Sequence, residues 1–191
     1  MKKKTDKIRS SGYICGVMRE SPLIASHVFT FNSHVSIPMS KLSPTLFLVR
    51  GLPGSGKSTI AKNLATEVAE ADQFFISPET GRYEFDPSKL AQAHNWCQVK
   101  TLNALQSGNS VAVANTFTQA WEMAPYVIAT KELGARLVVV DVFDGGMTDV
   151  ELAMRNEHGV SEYIIANMRL RWEHDWRKGD MRAPWERKTK K

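Results

Sequence analysis

The residues with the clearest chemical potential lie at Gly51-Leu52-Pro53-Gly54-Ser55-Gly56-Lys57-Ser58, which fit the spacing G-x-x-x-x-G-K-[ST], with Thr59 following. Glycines at these intervals let the backbone curl until successive N–H groups converge on one anion. A helix starting behind them adds the partial positive charge of its N-terminus. Lys57 supplies a mobile cation for β- and γ-phosphates, and the Ser58 hydroxyl can ligate a magnesium ion bridging them. The expected occupant of residues 51–59 is therefore Mg·ATP, with GTP left open because no base contact can be read. Transfer of a phosphoryl group would also need a residue that activates an acceptor. Asp72 follows a second apolar stretch, and the carboxyl ends of parallel strands share the crevice that holds such a loop. A carboxylate there could take a proton from an attacking hydroxyl, or it could simply cap a loop.

These residues need a rigid frame, and the flanking sequence supplies one. Leu46-Phe-Leu-Val49 reads as a buried parallel strand feeding the glycine loop, and Thr59 to Ala65 as the helix that leaves it. Glu67 to Ala71 reads as a short second strand. Asp86-Pro87-Ser88 supplies an N-cap and an N1 proline for a long helix through Leu105, stopped by Gly108. Strands are expected at Ser110–Ala114 and Leu137–Val142, with a helix at Ala124–Leu133 between them. Thr148-Asp-Val-Glu151 forms a capping box for a helix through Arg155, and Ser161 can cap a last helix through Trp172. Alternating strand and helix predict an α/β fold of three layers with a mostly parallel sheet.

Length and charge bound the rest. The 191 residues suffice for one domain, expected at 45–175, between a basic, poorly ordered extension at 1–44 and a basic tail at 176–191. Met39 is a plausible alternative start. Residues 1–44 hold seven Lys/Arg against two Asp/Glu, and 169–191 hold nine against four. The middle, 45–168, holds nine against fourteen. Basic ends can hold a phosphate backbone, or they can be solvated termini. No apolar run is long enough to span a membrane, no signal peptide is evident, and Cys15 and Cys97 form no disulfide or zinc pattern, so a cytoplasmic protein without membrane partners is expected. Trp96, Trp121 and Trp172 read as core residues and His94 as a structural histidine. Trp176 and Trp185, set among basic residues, read as a partly packed tail or as base-stacking groups.

One resemblance joins these pieces. The glycine loop, Ala71-Asp72-Gln-Phe-Phe75, Ala93-His-Asn-Trp-Cys97, Asn115-Thr-Phe-Thr118, Trp121-Glu-Met, Pro125-Tyr126, Arg155-Asn156, His158-Gly-Val160 and Met168 to Glu173 together resemble the polynucleotide-kinase-like P-loop kinases, a group of AAA-type ATP-binding proteins. The resemblance spans residues 46–174. It implies that Asp72 is the general base and Arg155 the lid arginine that closes over the transferring phosphoryl group. Two positions depart from the family's pattern. Asn115 stands where relatives carry an aspartate, and is expected to leave magnesium mainly to Ser58, the nucleotide and water. Phe75 stands near the place of an arginine that holds nucleic-acid phosphate, which weakens the case for a nucleic-acid substrate.

The expected protein is an ATP-dependent, magnesium-using phosphotransferase, with Lys57, Asp72 and Arg155 as catalytic residues. Its acceptor carries a hydroxyl, the 5′-OH of DNA or RNA being one candidate. The alternative is an ATP-binding regulator or switch with weak ATPase activity. Neither the acceptor nor the oligomeric state can be read from the sequence.

Overall fold

A computed structural model describes residues 43–188. Residues 1–42 of the extension expected at 1–44, Met39 among them, and residues 189–191 of the expected tail lie outside the described residues. Four strands, β1 (Thr45–Arg50), β2 (Glu67–Ala69), β3 (Val111–Asn115) and β4 (Arg136–Asp141), form one sheet in the order β2-β3-β1-β4, parallel throughout. Five helices accompany them: α1 (Lys57–Leu64), α2 (Leu90–Gln106), α3 (Ala120–Glu132), α4 (Asp149–Arg155) and α5 (Glu162–Leu170). The three-layered α/β reading holds.

Strand residues are apolar in unbroken runs because helices cover both faces of the sheet. On one face Leu46, Leu48, Val111 and Val113 pack with Ala93 and Cys97 of α2 and Met123 and Tyr126 of α3. On the other, Val49, Ala112 and Ala114 pack with Ala61 of α1. A third cluster, Leu52, Leu152 and Ile165, seats the α4–α5 pair on the glycine loop itself. The chain leaves β1 toward β2 and leaves β3 in the opposite direction toward β4, so the loops part above the carboxyl ends of β1 and β3. Ligands of open parallel sheets sit in such a crevice.

Three element boundaries differ from the expectation for identifiable reasons. The second strand stops at Ala69, because Asn115 Oδ1 accepts the Ala71 N–H at 3.0 Å and draws the chain into a 3₁₀ turn at Ala71–Phe75. Asp86 does accept the Ser88 N–H at 2.9 Å, but Pro87–Lys89 forms a 3₁₀ turn before α2 proper begins. Helix α3 begins four residues early, with Pro125 inside it. Its first turn is fixed by Glu122, which accepts the Gln119 N–H, and by Glu173, whose Oε2 accepts the Ala120 N–H at 2.7 Å.

Beyond α5 the packed chain continues past residue 175. Trp176 lies against the main core cluster, and Glu173 N–H donates to the Thr118 carbonyl at 2.8 Å. Arg50, fully buried at the end of β1, donates from Nη2 to the Glu173 carbonyl at 3.0 Å and to that of Thr118 at 3.4 Å, and its guanidinium lies 4.3 Å from the Trp172 ring. Burial lowers its pKa against the opposing pull of Asp141, whose Oδ1 stands 3.2 Å from Nε. The basic residues of this end are largely committed within the domain. Arg169 pairs with Asp144 and Asp149, Arg182 with Asp180, and Arg187 with Asp180 and Glu173. Trp185 packs edge to face on Trp121 yet stays 77% exposed. Among the described residues no helix is long and apolar enough to cross a membrane.

Candidate functional site

The glycine loop runs from Gly51 to Gly56, between β1 and α1. Gly54 and Gly56 both adopt positive φ, +78° and +91°, a region that side-chain-bearing residues rarely enter. Their roles differ. A Cβ on Gly54 would collide with the Leu152 carbonyl of α4, whereas a Cβ on Gly56 would project into open space, the hollow a phosphate would fill. The Ser55 hydroxyl is buried without a partner, and the Lys57 ammonium is held down in pKa by burial, with Asp72 and Glu70 pulling the other way. A desolvated cation and open space over a helix N-terminus fit a polyphosphate.

The loop opens into a cleft of about 610 Å³. Lys57, Ser58, Asp72 and Arg155 all line it, together with Pro53, Gly54 and Gly56 of the glycine loop, so the geometry gathers the residues that the sequence singled out. Asp72 sits in the 3₁₀ turn, where Asn115 fixes the backbone beside it. Tyr83 donates its hydroxyl to Asp72 Oδ1 at 3.1 Å, and His158 Nε2 stands 3.7 Å from Oδ2. Burial and the adjoining carboxylate push the Tyr83 phenol well above its ordinary pKa, which keeps it a donor. Arg155 ends α4 with an exposed side chain whose Nη1 lies 3.3 Å from Met147 Sδ. It has no acidic partner within ion-pair distance among the described residues, so its charge is free for a ligand.

Asn156 holds the link from α4 to α5. Its side-chain amide donates to the carbonyls of Ala153 at 2.6 Å and Val160 at 2.9 Å, and its Oδ1 accepts the Val160 N–H at 2.8 Å. That clamp presents Arg155 and His158 on one short segment above the cleft.

Several readings are refined here. Asn115 is 7% exposed, accepts from Ala71 and donates to Cys97 Sγ at 3.6 Å, so it positions the Asp72 turn. Phe75 belongs to the core at 5% exposure, although it also borders the cleft, and it supplies no cation there. His94, expected to be structural, is exposed along the cleft. Trp96, Trp121 and Trp172 are half-buried rather than fully enclosed. Sequence reasoning missed Tyr83 and Phe85, whose segment carries no helical or sustained strand period. Phe117 is a further surprise: a buried phenylalanine at φ +48°, just after β3, held by packing on Tyr126.

A glycine loop between a buried strand and a helix, at the diverging carboxyl edge of a parallel sheet, defines a P-loop nucleotide-binding domain of kinase-like build. Residues 46–145 match the AAA domain family, and the chain belongs to that family. The human NEDD4-binding protein 2 is 37% identical over 131 residues, which make up 64% of this chain but 7% of that protein. Among solved structures, a chain of the Pnkp1/Rnl/Hen1 RNA repair complex aligns with a TM-score of 0.56 over 72% of this chain and 47% of that one, at 18% identity. This second likeness concerns the fold. The resemblance drawn from the motifs is borne out for family and architecture.

Proposed function

We propose that the protein transfers the γ-phosphoryl group of ATP to a hydroxyl acceptor. The observation that carries this reading is the convergence of Lys57, Asp72 and Arg155 on one cleft. A nucleotide switch needs the phosphate cradle but no carboxylate poised on its far side.

The loop N–H groups and Lys57 hold the β- and γ-phosphates, and the Ser58 hydroxyl would hold magnesium, which supplies charge neutralisation between them. Tyr83 occupies Asp72 Oδ1, and Oδ2, with His158 Nε2 3.7 Å away, is the oxygen that receives a proton. As the acceptor oxygen bonds to the γ-phosphorus and the bond to the β-phosphate oxygen breaks, the hydroxyl proton passes to Asp72. The charge that spreads over the three equatorial oxygens is met by Lys57 and by Arg155, whose planar guanidinium can contact two oxygens together. The likeness to an RNA repair complex makes a nucleic-acid 5′-OH one acceptor to test.

Incubation with γ-labelled ATP and Mg²⁺, offering 5′-OH DNA, 5′-OH RNA, nucleosides and a metabolite extract in parallel, should label an acceptor. Asp72→Asn should suppress that labelling while ATP still binds. Release of inorganic phosphate alone, unchanged in Asp72→Asn, would refute transfer and leave the ATP-binding regulator.

A further inference from the structure

The cleft is chemically two-sided. Among the described residues its lysines and arginine come from α1 and the end of α4: Lys57, Lys62 and Arg155. The wall built by residues 71–94 contributes Asp72, Phe75, Tyr83, Phe85, Leu90 and His94, while the Arg82 and Lys89 of the same segment are exposed and do not line the cleft. On this side Phe85 packs on Phe75 with ring centroids 5.0 Å apart and lies parallel to Tyr83, at an interplanar angle of 10°. Tyr83 in turn meets the His158 ring at 4.7 Å. Phe85 nevertheless remains 50% exposed, and Leu90 41%. A half-bare phenylalanine whose neighbours fix its orientation is a surface prepared for a flat partner.

The position of this wall says which partner. Tyr83 is bonded to Asp72, so the aromatic surface adjoins the carboxylate that receives the acceptor's proton. In-line transfer sends donor and acceptor away from the phosphorus in opposite directions. A ring resting here therefore belongs to the acceptor and not to ATP. A phosphodiester seated in the cleft on the same side would meet Asp72 and aromatic edges, with no lysine or arginine among the described lining residues of this wall to pair it.

We propose that the acceptor is a small, uncharged alcohol that carries a flat ring beside its reactive hydroxyl, stacked on Phe85. This deepens the phosphotransferase reading and rests on it. Phe85 acts as a specificity determinant, and backbone phosphates of a polymer are not read.

The test compares cytidine, uridine, glycerol and a 5′-OH oligonucleotide as acceptors of γ-labelled phosphate, with the full chain and its Phe85→Ala and Phe85→Tyr variants. Cytidine and uridine should exceed glycerol in kcat/KM by at least about tenfold. Phe85→Ala should raise their KM roughly five- to a hundredfold, the usual worth of one ring stack, with the ATP KM unchanged and Phe85→Tyr restoring the parent value. Preference for the oligonucleotide, equal use of glycerol, or a rise in ATP KM instead would overturn the proposal. Should no alcohol take label, the transfer reading falls by itself. Calorimetric binding of cytidine to protein saturated with a non-hydrolysable ATP analogue then decides the ring site: binding lost in Phe85→Ala upholds it, and no binding by the parent removes it.

Discussion

Gly54 and Gly56 allow one contact, that between the phosphate loop and α4, to be weighed against an internal reference. Both hold positive φ, so alanine at either place carries a left-handed penalty of about 1–2 kcal/mol. They differ in what lies beyond. The added methyl of Gly56→Ala meets nothing within 4 Å. That of Gly54→Ala strikes the Leu152 carbonyl oxygen, with the Leu152 carbonyl carbon and Cα both at 3.2 Å. Backbone inside a capped helix cannot swing aside as a side-chain end can, so overpacking adds about 1–3 kcal/mol. Urea unfolding at constant m should therefore place Gly54→Ala about 1–3 kcal/mol below Gly56→Ala. The order should reverse for nucleotide affinity if Gly56 forms the phosphate hollow, because its methyl would occupy that space. Equal stabilities for the two variants would show that α4 is not seated on the loop.

Other outcomes follow from single contacts. Lys57→Ala should abolish calorimetric binding of Mg·ATP while the fold persists, since the wild-type ammonium is desolvated and its removal relieves a cost. Asn115→Ala, which strips the buried Ala71 N–H of its acceptor, should cost about 1–3 kcal/mol in denaturation and lower acceptor turnover more than ATP affinity. Asp144 is a pH case. Burial alone would raise its pKa, but the Arg169 hydrogen bond at 2.6 Å and the Gly146 N–H outweigh burial and lower it. The folded value thus lies below the unfolded one, so this carboxylate's stabilisation is complete above the ordinary aspartate range and disappears as pH falls through the lowered value. Asp144→Asn should differ from the parent near neutral pH, and the gap in melting temperature should close in acid.

How far the sequence disclosed the molecule depended on whether the cause was local. The glycine loop, the caps at Asp86, Thr148 and Ser161, and the apolar strands are dictated by neighbours in the chain, and each was legible in its residues. The end of β2 was not, because the hydrogen bond from the Ala71 N–H to Asn115 spans 44 residues of sequence. For the same reason Asn115 read as a missing acid, when its amide is a brace. Asp72, Lys57 and Arg155 were visible through motif and resemblance, whereas Tyr83 and Phe85 belong to an aperiodic link whose aromatics acquire meaning only when it folds over the cleft. The start of α3, expected at Ala124, was hidden by a capping carboxylate, Glu173, that arrives from 53 residues downstream of Ala120.

The buried Arg50 makes the domain's end a matter of charge accounting. A chain cut after α5 would retain every strand and every long helix, yet it would leave a guanidinium in the interior facing neither the Glu173 carbonyl nor the Trp172 ring. The smallest autonomous unit is therefore set by the first residues that answer this cation, beyond the last regular element. The two ends of that bargain are 123 positions apart, and neither can drift alone. A lineage that replaced Arg50 with an apolar residue would be free to shed the segment. One that keeps the arginine must keep the strap that covers it, even where that strap takes no part in chemistry.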